Sequence, residues 1–242
     1  MLLDAHLRTQ VALSCRILAM HGHTDLTLGH VSARDKENVV YIKRKDIGLD
    51  EVTPEDVLPV DLDGNLLGGE GDLHLETRLH TEVYKVRDDV NAIAHTHPPF
   101  STALGATGAA LEMFNHDAVL FYDGLGNFDQ TAGLITSSEL GQMVARSLGS
   151  HRAVLMRNHG VLVVGRNIPW LTYTALTLER AIKFQIIATS LGQLTPLKTD
   201  VAEKLCAEKH RNRFIESYWG YLIRKVEAAG CAFNIPGDEL SQ

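Results

Sequence analysis

Two short apolar runs, separated by only four residues, place the strongest constraint on how this chain can fold. Residues 153–156 and 161–164 are entirely apolar and flank the polar segment Arg157-Asn158-His159-Gly160. A continuous apolar run of this length is consistent with a buried strand, and Gly160 permits a tight bend. The sequence therefore predicts two strands joined by a turn that contains His159.

Other strand-like runs precede this pair, but helices do not alternate regularly with them. A Gly turn at Gly29 leads into the alternating segment 30–34, and further strands are predicted at 39–42, 57–62 and 90–97. Asp63-Gly64 is a hairpin signal before the short run 65–67. Helical spacing of apolar residues occurs over 2–20, 74–86, 101–107, 137–148, 168–192 and 199–229.

This order of elements favours an α/β fold with three α/β/α layers and a mostly antiparallel sheet. A Rossmann fold is disfavoured, because the chain also lacks a GxGxxG motif. No internal repeat, low-complexity tract or Ser/Gly linker interrupts the sequence, so residues 1–242 are predicted to form a single domain.

Charge and composition narrow the classes of partner. The formal net charge is -7 and no basic stripe is present, which argues against a nucleic-acid or anionic-membrane surface. No apolar run approaches the 18 residues of a membrane span. Cys15, Cys206 and Cys231 form no disulfide pattern and the first residues do not resemble a signal peptide, so we expect a cytoplasmic protein.

The histidines carry the clearest chemical signal. His95 and His97 sit at the end of a predicted strand, where alternation puts both side chains on one side of the sheet. His159, in the later turn, can supply a third imidazole. Three neutral imidazoles with an open position form a common catalytic zinc site, which also suits other borderline divalent ions.

A predicted helix upstream offers an acid/base group. In the segment 74–86, Glu76, His80 and Tyr84 are spaced at i, i+4 and i+8 and therefore fall near one helix face. Taken alone, such a segment is more often a surface helix whose charged residues face water. Its position before the His95-Thr96-His97-Pro98 segment gives it weight.

Together these segments resemble the class II aldolase/adducin family. The resemblance rests on Glu76, then His95-Thr96-His97-Pro98, then Asn158-His159-Gly160 in that order, and it extends over essentially the whole chain. It implies a nine-stranded, mainly antiparallel sheet between helical layers. It also implies that His95, His97 and His159 bind one divalent metal per chain, Zn2+ or Mn2+, and that Glu76 is the general acid/base.

The resemblance further implies a small-molecule substrate and a homotetramer with active sites at subunit interfaces. In such enzymes a tyrosine from the neighbouring subunit donates a proton, and Tyr122 is the candidate here. His210, Tyr218 and Tyr221, in the C-terminal helix, are weaker candidates for the pocket.

The chain departs from sugar-phosphate members of the family where they hold phosphate. The usual Gly-Asn segment reads Gly29-His30, and the Ser-Ser pair before the catalytic Glu reads His74-Leu75. A leucine cannot donate a hydrogen bond to a phosphate oxygen. We therefore expect a substrate without phosphate, contacted by His30, Ser32 and His74, while Arg34 could face a carboxylate or serve a structural ion pair.

Several functions remain open at this level. The first is aldol-type cleavage of a non-phosphorylated hydroxy-carbonyl compound, and the second is decarboxylation of a hydroxylated aromatic or pyridine carboxylate. In both, a divalent ion would stabilise negative charge on chelated oxygens while a carboxylate moves a proton. A sugar-phosphate aldolase or epimerase and a non-catalytic, adducin-like scaffold are the remaining alternatives.

Overall fold

The computed structural model describes residues 4–209 and 211–231. Their strands form one mixed sheet in the order β3-β2-β1-β4-β7-β6-β5, in which every neighbouring pair is antiparallel except β5 and β6. The strands are β1 (His30–Arg34), β2 (Val40–Lys43), β3 (Val57–Val60), β4 (Ala92–Thr96), β5 (Gly126–Phe128), β6 (Ala153–Met156) and β7 (Gly160–Gly165).

Side-chain caps mark where several helices begin. The Asp4 carboxylate accepts from the Leu7 amide, Ser137 from Leu140, and Asn167 from Trp170, so each satisfies an amide that the helix leaves unpaired. The helices are α1 (Ala5–Met20), α2 (Thr77–Val86), α3 (Pro99–Gly105), α4 (Ser138–Leu148), α5 (Ile168–Leu191), α6 (Thr199–Lys209) and α7 (Asn212–Ala228).

Two apolar cores lie on opposite faces of the sheet. On one face, α1 and α5 pack against alternate strand residues such as Val31 and Val163. On the other, α2 and α4 pack against the intervening residues, such as Ile93 and Leu162. The predicted α/β/α layering and mostly antiparallel sheet are therefore confirmed.

The expected strand count is not confirmed, because the described residues form seven strands instead of nine. The predicted hairpin after β3 is reduced to one isolated bridge between Val60 and Leu66 and a hydrogen bond from the Leu67 amide to the Pro59 carbonyl. Pro59 has no N–H to donate, so the ladder cannot extend there. The chain then enters a glycine-rich segment, where Gly69 and Gly71 take positive φ angles.

The predicted C-terminal helix 199–229 is also divided. Helix α6 ends at Lys209 and α7 begins at Asn212, with Arg211 in extended backbone (φ −83°, ψ 121°) as the N-cap. No helix within the described residues is both long and apolar enough to cross a membrane.

Candidate metal centre

Three histidines converge at one end of the central strands. His95 lies near the end of β4, His97 follows that strand, and His159 occupies the turn between β6 and β7. Gly160 makes the approach possible: a Cβ there would lie 2.3 Å from His97 Cδ2 and 2.6 Å from the Thr96 carbonyl oxygen. The turn predicted from the sequence therefore needs glycine for this close contact, while the positive φ in the turn falls at Asn158 (56°).

The ring nitrogens of this trio are arranged as ligands. Nε2 of His95 and Nε2 of His97 lie 3.1 Å apart, and one nitrogen from each of the three rings falls within 4.8 Å of the others. Nδ1 of His95 donates to the Val161 carbonyl (3.1 Å) and Nδ1 of His97 to Asp25 Oδ2 (2.9 Å). The Nε2 lone pairs are thus free and face each other, an arrangement that fits a cation between them.

Burial keeps the imidazoles of His95 and His159 neutral, as ligation requires. Desolvation, followed by the neighbouring His97, lowers the pKa of His159 to about 4. Desolvation, then His97 and His159, hold the pKa of His95 well below its usual range. At neutral pH both rings therefore carry an available lone pair.

Glu76 places a carboxylate beside the trio. It is the N-cap residue of α2, is 1% exposed, and accepts a hydrogen bond on Oε1 from the Ile135 amide (2.8 Å). Its oxygens lie 3.6 Å from His95 Nε2 and 3.8 Å from His159 Nε2. Because the imidazoles are neutral, these are not ion pairs, and burial raises the pKa of Glu76 toward the range useful for proton transfer.

His30 and His74 form a second buried group with Glu76. One ligand atom from each of the three residues lies within 4.8 Å of the others, and the two imidazole rings are 3.9 Å apart. His30 Nε2 points to Glu76 Oε2 at 3.6 Å, and His74 Nδ1 accepts from the Glu76 amide at 3.3 Å. Desolvation, then the nearby Lys43 charge, lowers the pKa of His74 to about 4.

Ser32 and Arg34 are placed away from this group. The Ser32 hydroxyl is fully buried and hydrogen-bonds His80 Nδ1 (2.6 Å) and the Tyr84 hydroxyl (2.8 Å). Arg34 donates to backbone carbonyls, including those of Tyr84 (2.8 Å) and Val90 (2.7 Å). Arg34 therefore joins β1 to the end of α2, through carbonyl oxygens in place of the expected ion pair.

The candidate tyrosines are not brought to the trio within one chain. Tyr122 follows the helical turn Ala118–Phe121, and its neighbours Phe121 and Asp123 line a cavity at the Gly165 end of β7, away from His97. Tyr218 and Tyr221 line a different cavity, of about 660 Å³, together with His23. His210 lies outside the described residues.

An open cleft leads to the trio. It has a volume of about 760 Å³, and His97, His159, Asn158, Asp25 and Leu134 are among the residues that line it. The lining also includes exposed apolar side chains, such as Leu134 at 50% and Leu28 at 42% exposure. A small organic molecule can therefore approach His97 and His159 from solvent.

Sequence reasoning missed two groups that shape the centre. Asp25 orients His97 from 72 residues away, and the Ile135 amide holds Glu76 from 59 residues away. Asp25 lies in no motif, and a backbone amide has no sequence signature. Their contributions follow from the fold alone.

Comparisons with known proteins give consistent matches. A sequence profile described as "Class II Aldolase and Adducin N-terminal domain" matches residues 9–186. The 3,4-dihydroxyphthalate decarboxylase of Arthrobacter keyseri is 29% identical over 204 residues, which cover 79% of this chain and 82% of that protein. An L-fuculose phosphate aldolase of Methanococcus maripaludis is 27% identical over 177 residues, which cover 73% of this chain and 94% of that protein.

Among solved structures, an aldolase II superfamily protein from Pseudomonas syringae superposes with a TM-score of 0.85 at 24% identity, covering 96% of each chain. At this identity the likeness establishes the fold alone.

Proposed function

The chain belongs to the class II aldolase and adducin family, and we propose that it is a divalent-metal-dependent lyase that cleaves a carbon–carbon bond by aldol-type chemistry. The observation that carries the proposal is the position of the buried Glu76 carboxylate, 3.6 to 3.8 Å from Nε2 of His95 and His159. A proton-transfer group thus lies beside a three-histidine site.

His95, His97 and His159 would hold one cation, with zinc and manganese as the first candidates. The Nδ1 hydrogen bonds of His95 and His97 leave their Nε2 atoms unprotonated for this role. Such an ion supplies a Lewis acid for negative charge that develops on chelated substrate oxygens. Glu76 would move a proton to or from the adjacent carbon or oxygen, because its burial favours the protonated form more than in water.

The substrate is proposed to carry no phosphate. A phosphate needs several donors, commonly hydroxyls, backbone amides and cationic side chains. Where sugar-phosphate aldolases have hydroxyls, this chain has His74 and Leu75, and the Leu75 side chain is 56% exposed beside Glu76. An apolar wall and two neutral imidazoles suit a carbonyl, hydroxyl or carboxylate group better than a phosphate dianion.

Decarboxylation of a hydroxylated aromatic carboxylate is the second candidate. It is favoured by the exposed Leu75 and by the paired imidazoles of His30 and His74, which could face a ring and a carboxylate. The similarity to a dihydroxyphthalate decarboxylase over most of both chains points the same way. In that reaction Glu76 would protonate the ring carbon that loses CO2.

Tyr122 is proposed to act in a neighbouring subunit's site within a homotetramer. Within one chain, its sequence neighbours line a cavity at the end of the sheet opposite to His97. An assembly in which the Tyr122 end of one subunit meets the open cleft of the next would bring a tyrosine to each centre.

The test loads the protein with zinc or manganese and screens hydroxy-carbonyl compounds and hydroxylated aromatic carboxylates for aldehyde and CO2 release. Glu76→Gln should keep the fold and most of the metal while turnover falls by about two to four orders of magnitude, the usual contribution of a positioned acid/base. Glu82→Gln, on the same helix, is the matched control and should retain turnover.

Two outcomes would contradict the proposal. Stoichiometric metal retention in the triple variant His95→Ala, His97→Ala, His159→Ala would remove the metal assignment, and undiminished turnover in Glu76→Gln would remove the acid/base assignment. Efficient cleavage of fuculose 1-phosphate would overturn the expectation of a phosphate-free substrate.

A further inference from the structure

A chain of buried hydrogen bonds runs from the second histidine group into the protein interior. His30 Nδ1 lies 2.6 Å from His80 Nε2, His80 Nδ1 lies 2.6 Å from Ser32 Oγ, and Ser32 Oγ lies 2.8 Å from the Tyr84 hydroxyl. All four side chains are fully buried. Each neutral imidazole carries one N–H, so the direction of these bonds fixes which nitrogen of His30 is protonated.

The end of the chain sets that direction. Among the described residues, the Tyr84 hydroxyl has Ser32 Oγ as its hydrogen-bond partner. A buried O–H without an acceptor is costly, so Tyr84 donates to Ser32. Ser32 then donates to His80 Nδ1, and the N–H on His80 Nε2 donates to His30 Nδ1.

His30 therefore carries its proton on Nε2. That atom is buried, has no hydrogen-bond partner among the described residues, and points toward Glu76 Oε2 at 3.6 Å, beyond hydrogen-bond range. An unpaired donor in a buried position is expected to meet an acceptor that arrives with the substrate.

A single hydrogen bond fixes the same tautomer in His74. Its Nδ1 accepts a hydrogen bond from the Glu76 backbone amide, so its proton is also on Nε2. A protonated ring nitrogen cannot ligate a metal. Although His30, His74 and Glu76 have the spacing of a metal site, the hydrogen bonds assign the two imidazoles as donors.

We infer that Tyr84, Ser32 and His80 are positioning residues that hold His30 as its Nε2–H tautomer, so that His30 and His74 present two neutral N–H donors to an anionic oxygen of the substrate. This inference rests on the proposed function only for the identity of the ligand, a carboxylate or enolate oxygen on the compound held at the three-histidine site. Preorganised neutral donors of this kind stabilise negative charge that develops on a substrate oxygen.

The proton positions can be read without turnover. In metal-free protein labelled with 15N-histidine, two-bond 1H–15N spectra distinguish Nδ1–H from Nε2–H rings, and the signals of His30 and His74 are assigned by their loss in His30→Gln and His74→Gln. We expect both residues as Nε2–H tautomers at neutral pH. An Nδ1–H tautomer or an imidazolium at His30 would overturn the inference.

A matched pair of variants tests the positioning role. In His80→Gln the amide can still donate to His30 Nδ1, whereas His80→Met has no N–H or O–H, leaves His30 Nδ1 without a donor and so no longer fixes the Nε2–H tautomer. With zinc-loaded protein and glycolate as the probe, His80→Met should bind about 10- to 100-fold more weakly than His80→Gln, as expected for loss of a hydrogen bond to a charged group. Equal affinities would contradict the inference.

Zinc stoichiometry distinguishes a pair of hydrogen-bond donors from a second metal site at His30, His74 and Glu76. One zinc per chain in wild type and in His74→Gln supports a donor pair, while a second zinc that is lost in His74→Gln would overturn it. The tautomers are measured without metal or substrate, so a failure to detect lyase activity would not affect the tautomer assignment. Likewise, an Nδ1–H tautomer at His30 would not contradict the proposed lyase function.

Discussion

For four histidines near the centre, the partner of one ring nitrogen sets the role of the other. His95 and His97 donate from Nδ1 to oxygen acceptors and so offer Nε2 as a lone pair. His30 and His74 accept on Nδ1 from N–H donors and so offer Nε2–H. The same side chain is therefore suited to a cation in one case and to an anionic oxygen in the other.

At the scale of single residues, we predict that Asp25→Asn weakens metal binding. The Asp25 carboxylate accepts from His97 Nδ1 and should raise the basicity of the ligand nitrogen. We expect zinc affinity to fall about 10- to 100-fold with the fold retained, as measured by competition with a chelator. Asp61→Asn, in the distant turn where Asp61 accepts from Asn65, is the control. Unchanged affinity in Asp25→Asn would show that the carboxylate does not support the site.

Helix α2 is the element that organises the centre. It begins immediately after Glu76, and its buried residues His80 and Tyr84 contact Ser32 of β1. Helix α4 packs closely against α2 at Gly141. A Cβ at this position would lie 2.8 Å from the Arg78 carbonyl oxygen and 2.8 Å from Glu82 Cγ. The separation of the two helices therefore depends on glycine.

Gly141→Ala is accordingly expected to destabilise the protein by about 1 to 3 kcal/mol, the usual range for overpacking. Denaturant unfolding followed by circular dichroism measures the change. Gly220→Ala in α7 is the matched control, because its nearest contact is the flexible Arg224 side chain at 3.5 Å. The control should be neutral or stabilising, by up to about 1 kcal/mol from helix propensity. Equal stability of the two variants would refute the close-packing argument.

At the scale of the whole molecule, the burial of neutral histidines makes the stability of the protein depend on pH. Desolvation, then His74, lowers the pKa of the fully buried His80 to about 3, from 6.5. Below pH 6.5 the unfolded chain takes up a proton that the folded chain does not bind until about pH 3. The contribution of neutral His80 to stability is therefore fully present above pH 6.5, and it decreases as the pH falls from 6.5 toward about 3.

Thermal unfolding of the metal-free protein between pH 8 and pH 5 tests this coupling. The midpoint should fall with pH in wild type and fall less steeply in His80→Gln, which has no group to titrate there. His116→Gln, which removes an exposed histidine outside the buried group, is the control for the loss of one imidazole. A pH-independent midpoint in wild type would contradict the prediction.

The outer surface supports the proposed assembly. On α5, Phe184, Ile187 and Leu191 are spaced along one helix face and are 44%, 44% and 85% exposed. Light scattering at micromolar concentration should give a mass of four chains, and Ile187→Glu should shift it toward smaller species. Lys36→Glu, in the turn between β1 and β2, is the control. A wild-type monomer would contradict the assembly.

The sequence by itself determined the elements whose signal is local. The strand at 153–156 and the helix at 168–192 were predicted to within one residue, because apolar runs and helical spacing depend on neighbouring residues. Alternation along β4 and the turn at Gly160 likewise predicted that His95, His97 and His159 could meet. The structure brings them together, and their role as metal ligands stays a prediction.

Only the tertiary structure decided features that depend on distant partners. Strand β5 has three residues and is stabilised by parallel pairing with β6, so the sequence offered no pattern for it. The Asp25–His97 contact and the hydrogen bonds from His30 to Tyr84 join residues that are 48 to 72 positions apart in the sequence. Periodicity places a side chain on a face, but hydrogen-bond partners across the fold decide where its proton resides.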